Sequence, residues 1–333
     1  MSTYYVKTAE GSLAICHNPI GLLFGDHNGY RGYLAREGIL HSKLPADWRD
    51  ISFPLEVAVE LAAWCNLNCV MCPVPTTSRP KQLMKEDLFR TIIGQIKDEK
   101  GFIFGPGGFG EVMLHAHWAD LVGHAKENGI APIVMLTNGT VLNEANARKL
   151  LLLAVDAIIV SIDGTNPDTY AKVRVGGALE KVEANVIRLI ELRGSDMLPR
   201  ICLRIIRMQE TEAEIQDFMD RWTPLLSAGD LLHIQPFQDW AEKVADRSVD
   251  GGDREPVGPR SPCRMLWRNL SVHADGKVSA CCHDSEDELI VGNVADEDLH
   301  EIWHGDKLNF LRELHMENKL EGIPICQKCK VWI

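Results

Sequence analysis

The sequence predicts an α/β protein, a sheet of parallel strands wrapped by helices, followed by a small C-terminal domain held by metal more than by core. Three observations point there. Six short apolar runs between residues 51 and 240 alternate with amphipathic stretches of helical period. A stretch rich in Gly, Pro and charge at 241–262 interrupts the pattern, and five of the ten cysteines follow it.

Taken in order, residues 1–50 contain the breakers GDHNGYRG and SKLPADW and little periodicity, so they read as an irregular cap on the main domain. The main domain spans 51–240. Its candidate strands are LEVAVEL (55–61), GFIFG (101–105), APIVMLTNG (131–139), DAIIVSIDG (156–164), RICLRIIRM (200–208) and LLHIQPF (231–237). Between them lie the helical stretches KEDLFRTIIGQIKDE, HWADLVGHAKENG, NEANARKLLLL, LEKVEANVIRLIELRG and TEAEIQDFMDRWTPLL. Strand–helix alternation means parallel strands joined by right-handed crossovers, in a barrel or an open sheet whose site lies at the strands' C-terminal ends. Residues 241–262 read as a linker, and 263–333 as the small final domain with its HADGK turn.

Composition narrows the partners. Net charge is −12, from 47 acidic and 35 basic residues, with no basic arm, so neither nucleic acid nor an anionic membrane is expected. The first residues lack a basic start followed by an apolar core, and no apolar run is long enough to cross a bilayer, which predicts a soluble cytoplasmic protein. Ten cysteines are many for that compartment, where clustered thiols hold metal or do redox chemistry. Seven stand in patterns; Cys16, Cys202 and Cys282 do not, and lone cysteines are expected to be small buried hydrophobes.

The densest pattern is LAAWCNLNCVMCPV (61–74), which sets Cys65, Cys69 and Cys72 at C-x3-C-x2-C just after the first strand. Four thiolates saturate a tetrahedral zinc or a cubane iron–sulfur cluster; three in one loop leave one iron open to a ligand.

This motif resembles the signature of the radical S-adenosylmethionine (SAM) superfamily, which implies a partial (β/α)6 barrel, a 4Fe-4S cluster on Cys65, Cys69 and Cys72, and SAM chelated to the open iron. One-electron cleavage of SAM then yields a 5'-deoxyadenosyl radical that abstracts hydrogen from substrate, with electrons from an external donor such as flavodoxin or ferredoxin. Three further segments fit the resemblance. GPGGFGEVMLH (105–115) is similar to the glycine-rich segment, which implies roles for Gly108, Gly110 and Glu111 at the SAM amino group, although Val112 and Met113 replace the usual Pro-Leu. LTNGT and VSIDG resemble the strands lining the SAM pocket, implying Asn138, Ser161 and Asp163. YAKVRVGG (170–177) resembles a segment whose arginine pairs with the SAM carboxylate, here Arg174. Met71 takes a place often aromatic in the family, where its thioether can pack on adenine.

The C-terminal spacing, twelve residues from Cys263 to Gly276 and four from Gly276 to Cys281, then Cys326 and Cys329, is similar to the SPASM or twitch extensions of such enzymes. The four cysteines imply the shorter form, with one auxiliary 4Fe-4S cluster and no open site, suited to passing an electron. A four-cysteine zinc site is the competing reading. Cys282 is packing, a substitute ligand or a thiol hydrogen donor; His283, Asp284 and GNVADEDLHEIWHG (292–305) are expected to form a turn and helix covering the cluster.

A closed auxiliary cluster suits oxidation of a carbinol carbon to a ketone, and the chain resembles the radical SAM dehydrogenases of aminocyclitol biosynthesis. The expected substrate is a small polyol, sugar or aminocyclitol. Arg204, Gln235, Asp239 and Trp240, at the ends of the last two strands, are the substrate-side candidates. The alternatives are epimerisation, with Cys282 or Cys202 as hydrogen donor, ribosomal-peptide maturation, or a non-catalytic iron–sulfur or zinc module that binds a partner. Peptide maturases commonly carry a larger N-terminal recognition domain than residues 1–50 supply.

Overall fold

A computed structural model describes residues 3–16, 51–249 and 260–330. All six candidate strands form: β3 (Glu56–Val59), β4 (Ile103–Gly105), β5 (Val134–Thr137), β6 (Ala157–Ser161), β7 (Arg200–Arg207) and β8 (Leu231–Pro236). The helices between them are α1 (Glu86–Ile96), α2 (Trp118–Glu127), α3 (Glu144–Leu153), α4 (Pro167–Val173), α5 (Leu179–Arg193) and α6 (Ile215–Trp222). Helix α4, at seven residues, is too short to show a period, but its start is written locally: Asn166 caps the Asp168 amide and Pro167 opens the first turn.

The strands pair in parallel. β3 lies beside β4 (Glu56↔Ile103), a single bridge at Phe104↔Ile133 carries the sheet toward β5, and β5, β6, β7 and β8 follow side by side. Among the described residues nothing pairs β8 back to β3, so the barrel is partial. Helices cover its outside. In α5, Val182, Val186 and Leu189 are fully buried, the i, i+4, i+7 stripe of a helix on a sheet.

One expectation needs correction. Part of the N-terminal cap is regular: β1 (Thr3–Lys7) and β2 (Leu13–Cys16) form a hairpin that adds to β8 antiparallel, Thr3 opposite Ile234. Two strands of four and five residues are too brief for the alternation signal to outweigh the breakers that follow. Residues 17–50 and 250–259, which include most of the cap and half of the linker, lie outside the described residues, as does the Cys16 side chain.

The C-terminal segment, expected to be held by metal more than by core, also has a substantial core, shared with the barrel. Its strand β9 (Asn269–Val272) pairs in parallel with β3, Glu56 opposite Asn269, and β10 (Lys277–Ser279) and β11 (Ile290–Asn293) continue the same sheet. Trp267, Leu270, Val278 and Trp303 consequently bury in one cluster with the barrel's Val57, Phe104 and Met135. The Trp303 indole donates to the Ile51 carbonyl at 2.7 Å, and the Arg312 guanidinium lies 4.2 Å from its ring centre.

The hairpin is held to β8 partly by Tyr4 stacked on His233, ring centres 3.8 Å apart. Burial, and secondarily the Arg204 charge, push the His233 pKa down to about 3. A histidine depressed in the docked state gives stability that is full above its free pKa near 6.5 and is lost as pH falls below it. From pH 7 to 5 the loss should approach about 2 kcal/mol. Protection factors of the Thr3–Lys7 amides, taken relative to intrinsic exchange at each pH, should fall about 30-fold over that window in the wild type and change far less in His233→Gln.

Candidate functional site

The three clustered cysteines sit where the chain leaves β3 at the barrel mouth. Two hydrogen bonds pin the base of their loop, Ala63 N–H to Gln82 O and Met84 N–H to Leu61 O, both 2.9 Å. Two more fasten its centre to the end of α4: Asn68 N–H to Val175 O at 2.8 Å and Val70 N–H to Val173 O at 3.0 Å. Asn138 Nδ2 donates to Cys65 Sγ at 3.4 Å, and Arg174 Nη1 to Cys69 Sγ at 3.5 Å. The Trp240 indole N–H reaches over to the Met71 carbonyl at 2.9 Å.

Burial raises all three thiol pKa values, that of Cys72 to about 12. Such thiols become thiolates only when a cation is present to bind them. They line a cavity of about 170 Å³ together with Gly108, Gly110, Glu111, Asn138, Ser161 and Arg174. The glycine-rich strip has to be bare at Gly110, because a Cβ there would overlap the carbonyl oxygens of Ala62 and Trp64 and lie 2.8 Å from Trp64 N.

Glu111 is buried, and burial raises its pKa even though its carboxylate accepts from Asn138 N at 2.7 Å and Thr137 Oγ1 at 2.8 Å. Asp163 lines no cavity described here. Its Oδ2 accepts from Arg174 Nε at 2.6 Å and its Oδ1 from Ile206 N at 2.6 Å, so its carboxylate is spent in orienting the arginine. Burial alone would lower the Arg174 pKa, but the negative charges around it, Asp163 first and then Cys69, together with the Asp163 hydrogen bond, raise it overall and keep the guanidinium cationic.

Arg204 was expected on the substrate side, and it lines this same cavity. Its Nη2 donates to Ser161 Oγ at 2.6 Å and its Nη1 to Gln235 Oε1 at 3.1 Å, spanning β6, β7 and β8. Among the described residues no carboxylate pairs with it, and burial lowers its pKa. Trp240 and Gln235 also line the cavity, but Asp239 does not: its carboxylate is tied to Lys330 Nζ at 3.0 Å and to its own Ala241 amide at 3.1 Å. Position at a strand end places a residue near the mouth, but the turn after Phe237 swings Asp239 toward the C-terminal segment.

A second cavity, about 220 Å³, adjoins the first. The two share Gly108, Phe109, Leu136 and Trp240, and the second is walled on the far side by Ser271, His273 and Cys282. Cys282 therefore opens onto interior space, whereas Cys202 is fully buried in the barrel core and borders neither cavity, which removes it as a hydrogen donor. Sequence reasoning missed His273, Glu60 and Phe109; all three stood within quoted segments, the HADGK turn, the first strand and the glycine-rich strip, but none had been given a role.

In the C-terminal segment Cys281, Cys326 and Cys329 pack around Leu289, Leu320, Ile323 and Ile325. Burial raises the pKa values of Cys263, Cys281 and Cys326, and neighbouring thiols add to it: Cys329 for Cys263, and both Cys263 and Cys329 for Cys281 and Cys326. Among the described residues no three His, Cys, Asp or Glu side chains converge as a single metal ion would require. Asp284 organises the adjacent turn, accepting from Ser279 Oγ and Leu289 N, each at 2.8 Å. His283 lies against Trp240, with ring centres 4.7 Å apart. The expected covering helix is elsewhere: α7 (Leu299–His304) packs into the main core through Leu299, Ile302 and Trp303.

A thiol triad at the mouth of a partial barrel, and a second cysteine set beyond it, define an iron–sulfur protein built to hold a small organic cofactor. Residues 59–221 match the radical SAM superfamily, and residues 263–330 match SPASM, an iron–sulfur cluster-binding domain. The chain thus carries a radical SAM domain followed by a SPASM domain, and with them come SAM, a 4Fe-4S cluster and auxiliary iron–sulfur. Relatives include the "Probable GTP 3',8-cyclase" of Methanothermobacter thermautotrophicus, 25% identical over 68% of this chain and 84% of that protein. Another is the "AdoMet-dependent heme synthase" of Methanosarcina barkeri, 32% identical over 40% of this chain and 38% of that one. The fold is shared with BtrN, solved in complex with AdoMet and 2-DOIA (TM-score 0.60, 18% identity, 83% of this chain and 93% of that one). It is shared also with Streptococcus suis SuiB bound to the precursor peptide SuiA (TM-score 0.64, 14% identity, 92% and 77%).

The residues present fit these groups, with soft sulfur donors in two sets and a cationic guanidinium at the first. Because the Gly110 contact fixes the cysteine loop, Gly110→Ala should push that loop out of register. Iron per chain after anaerobic reconstitution should fall by about four, one cubane, while the far-ultraviolet circular dichroism stays close to wild type.

Proposed function

We propose that this protein oxidises a carbinol carbon of a small polyol, sugar or aminocyclitol to a ketone. Cys65, Cys69 and Cys72 hold the SAM-binding cluster, and Cys263, Cys281, Cys326 and Cys329 hold one auxiliary 4Fe-4S cluster. The observation that carries the reading is the second cavity, a partly open space of about 220 Å³ between the SAM-side cavity and the C-terminal segment. When bound, SAM and its cluster supply a 5'-deoxyadenosyl radical to remove the carbinol hydrogen, and the auxiliary cluster supplies a one-electron acceptor.

The chain's own residues position and shield. Arg174, held by Asp163, offers a bidentate grip to the SAM carboxylate. Glu111 and Asn138 stand ready for its amino group. Arg204, a buried cation neutralised by no carboxylate among the described residues, draws the electron-rich groups of a ligand toward Ser161 and Gln235. Phe109 and Trp240, ring centres 5.7 Å apart, wall both cavities and exclude water from a reactive radical. An external flavodoxin or ferredoxin provides the priming electron.

Epimerisation is the second reading, favoured by one observation: the Cys282 thiol borders the same cavity and would return a hydrogen atom to the substrate. Incubation with candidate aminocyclitols and sugars in deuterated water separates the two. Ketone free of solvent deuterium at carbon, formed equally well by Cys282→Ala, is the expected result. A product of unchanged formula that carries deuterium, lost in Cys282→Ala, would establish epimerisation instead, and conversion of peptides alone would refute both.

A further inference from the structure

The oxidation requires two separate removals from the carbinol, a hydrogen atom from carbon and a proton from oxygen, and the groups named so far account for the first. His273 stands in the second cavity on the side away from the SAM-side cysteines. It is 2% exposed, and its Nδ1 lies 2.9 Å from Asp287 Oδ1. Its Nε2 is buried and has no hydrogen-bond partner among the described residues. A buried ring nitrogen left unpaired is costly and asks for a ligand.

The Asp287 carboxylate settles the tautomer. An anion facing Nδ1 holds the proton there, so Nε2 carries the lone pair and is the nitrogen left without a partner. Asp287 is itself held: Lys277 Nζ lies 2.6 Å from its Oδ2 and Arg79 Nε 3.1 Å from its Oδ1. These cations and His273 keep its pKa low against a larger opposing effect of burial. The Phe109 ring meets the imidazole edge-on at 6.4 Å. Glu60, which accepts from the amide of Ala274, and the Cys282 thiol complete the titratable groups around it.

We propose that His273 is the general base of the reaction, taking the hydroxyl proton of the substrate on Nε2, with Asp287 as its positioning residue. The inference rests on the oxidation reading. The balance is simple: the carbinol C–H hydrogen leaves as an atom to the 5'-deoxyadenosyl radical, and the O–H proton goes to His273. The remaining unpaired electron passes to the auxiliary cluster as the C=O bond forms. Deprotonation makes the substrate radical a far stronger reductant, so proton removal gates electron loss.

The test uses reconstituted holoenzyme, a substrate deuterated at the carbinol carbon, and His273→Gln, with Asp287→Asn as the second variant. His273→Gln should still move deuterium into 5'-deoxyadenosine within about threefold of wild type, while ketone formation falls about 100-fold or more. Freeze-quench electron paramagnetic resonance should then show a substrate-centred radical accumulating in place of the reduced auxiliary cluster. Raised pH should restore part of the ketone yield, and imidazole should rescue His273→Ala. Asp287→Asn should retain hydrogen transfer and shift the pH profile of ketone formation. Ketone yield unchanged in His273→Gln, or falling in step with deuterium transfer and without the radical signal, would overturn the role of His273 alone. Wild-type enzyme that gives no ketone from any carbinol would overturn the oxidation reading, and this inference with it.

Discussion

The site depends on one buried carboxylate. Glu60, the residue after β3 and 2% exposed, accepts from the backbone amides of Phe109 and Ala274, each at 3.2 Å, and is ion-paired to Arg79. These three partners come from the glycine-rich strip, from the C-terminal sheet and from the chain beyond the cysteine loop. A carboxylate removed from water is tolerated only when its charge is paired and its lone pairs are filled, so the three segments must meet there. Arg79 then extends to Asp287 and thence to His273, so the base proposed for the substrate and the strand that launches the cysteine loop share one charge network.

The sheet supports this junction. β3 is paired on both sides in parallel, with β4 toward the barrel and β9 toward the C-terminal segment. A strand locked in register on both edges delivers Glu60 and the cysteine loop to a fixed place, and brings the end of β9 level with it. The two cysteine sets are therefore anchored to one continuous sheet, with the second cavity lying over the strand ends between them. That arrangement suits a substrate which must give up a hydrogen atom on one side and an electron on the other.

Charge inside the mouth follows a division of labour. Arg174 is compensated by Asp163 and so is held rigidly beside Cys69; Arg204 has only neutral partners, Ser161 and Gln235. A paired buried cation is a fixture, whereas one that lacks a counter-charge is a receptor for ligand electron density. The same residue type, once at the end of α4 and once in β7, serves two purposes because only Arg174 is hydrogen-bonded to a carboxylate.

Much of this was legible in the chain. Six apolar runs became six strands, five helical stretches became helices, and C-x3-C-x2-C announced an iron with a free position, because all of these are written in contiguous residues whose period or spacing carries the physics. Cys202 is the buried hydrophobe its isolation suggested, whereas Asp239 turned away from the cavity: a strand end gives the neighbourhood of a residue, but the direction of its side chain depends on the turn that follows and on what it packs against. The pairing of β9 with β3 joins residues more than two hundred apart, and no local pattern encodes it. The sequence by itself determined the chemistry available, two sets of sulfur donors on an α/β scaffold, since ligand identity and hydrophobic period are local properties. Only the tertiary structure decided that Glu60, Arg79, Asp287 and His273 form one network beside the second cavity, because burial and distance arise when remote segments are brought together.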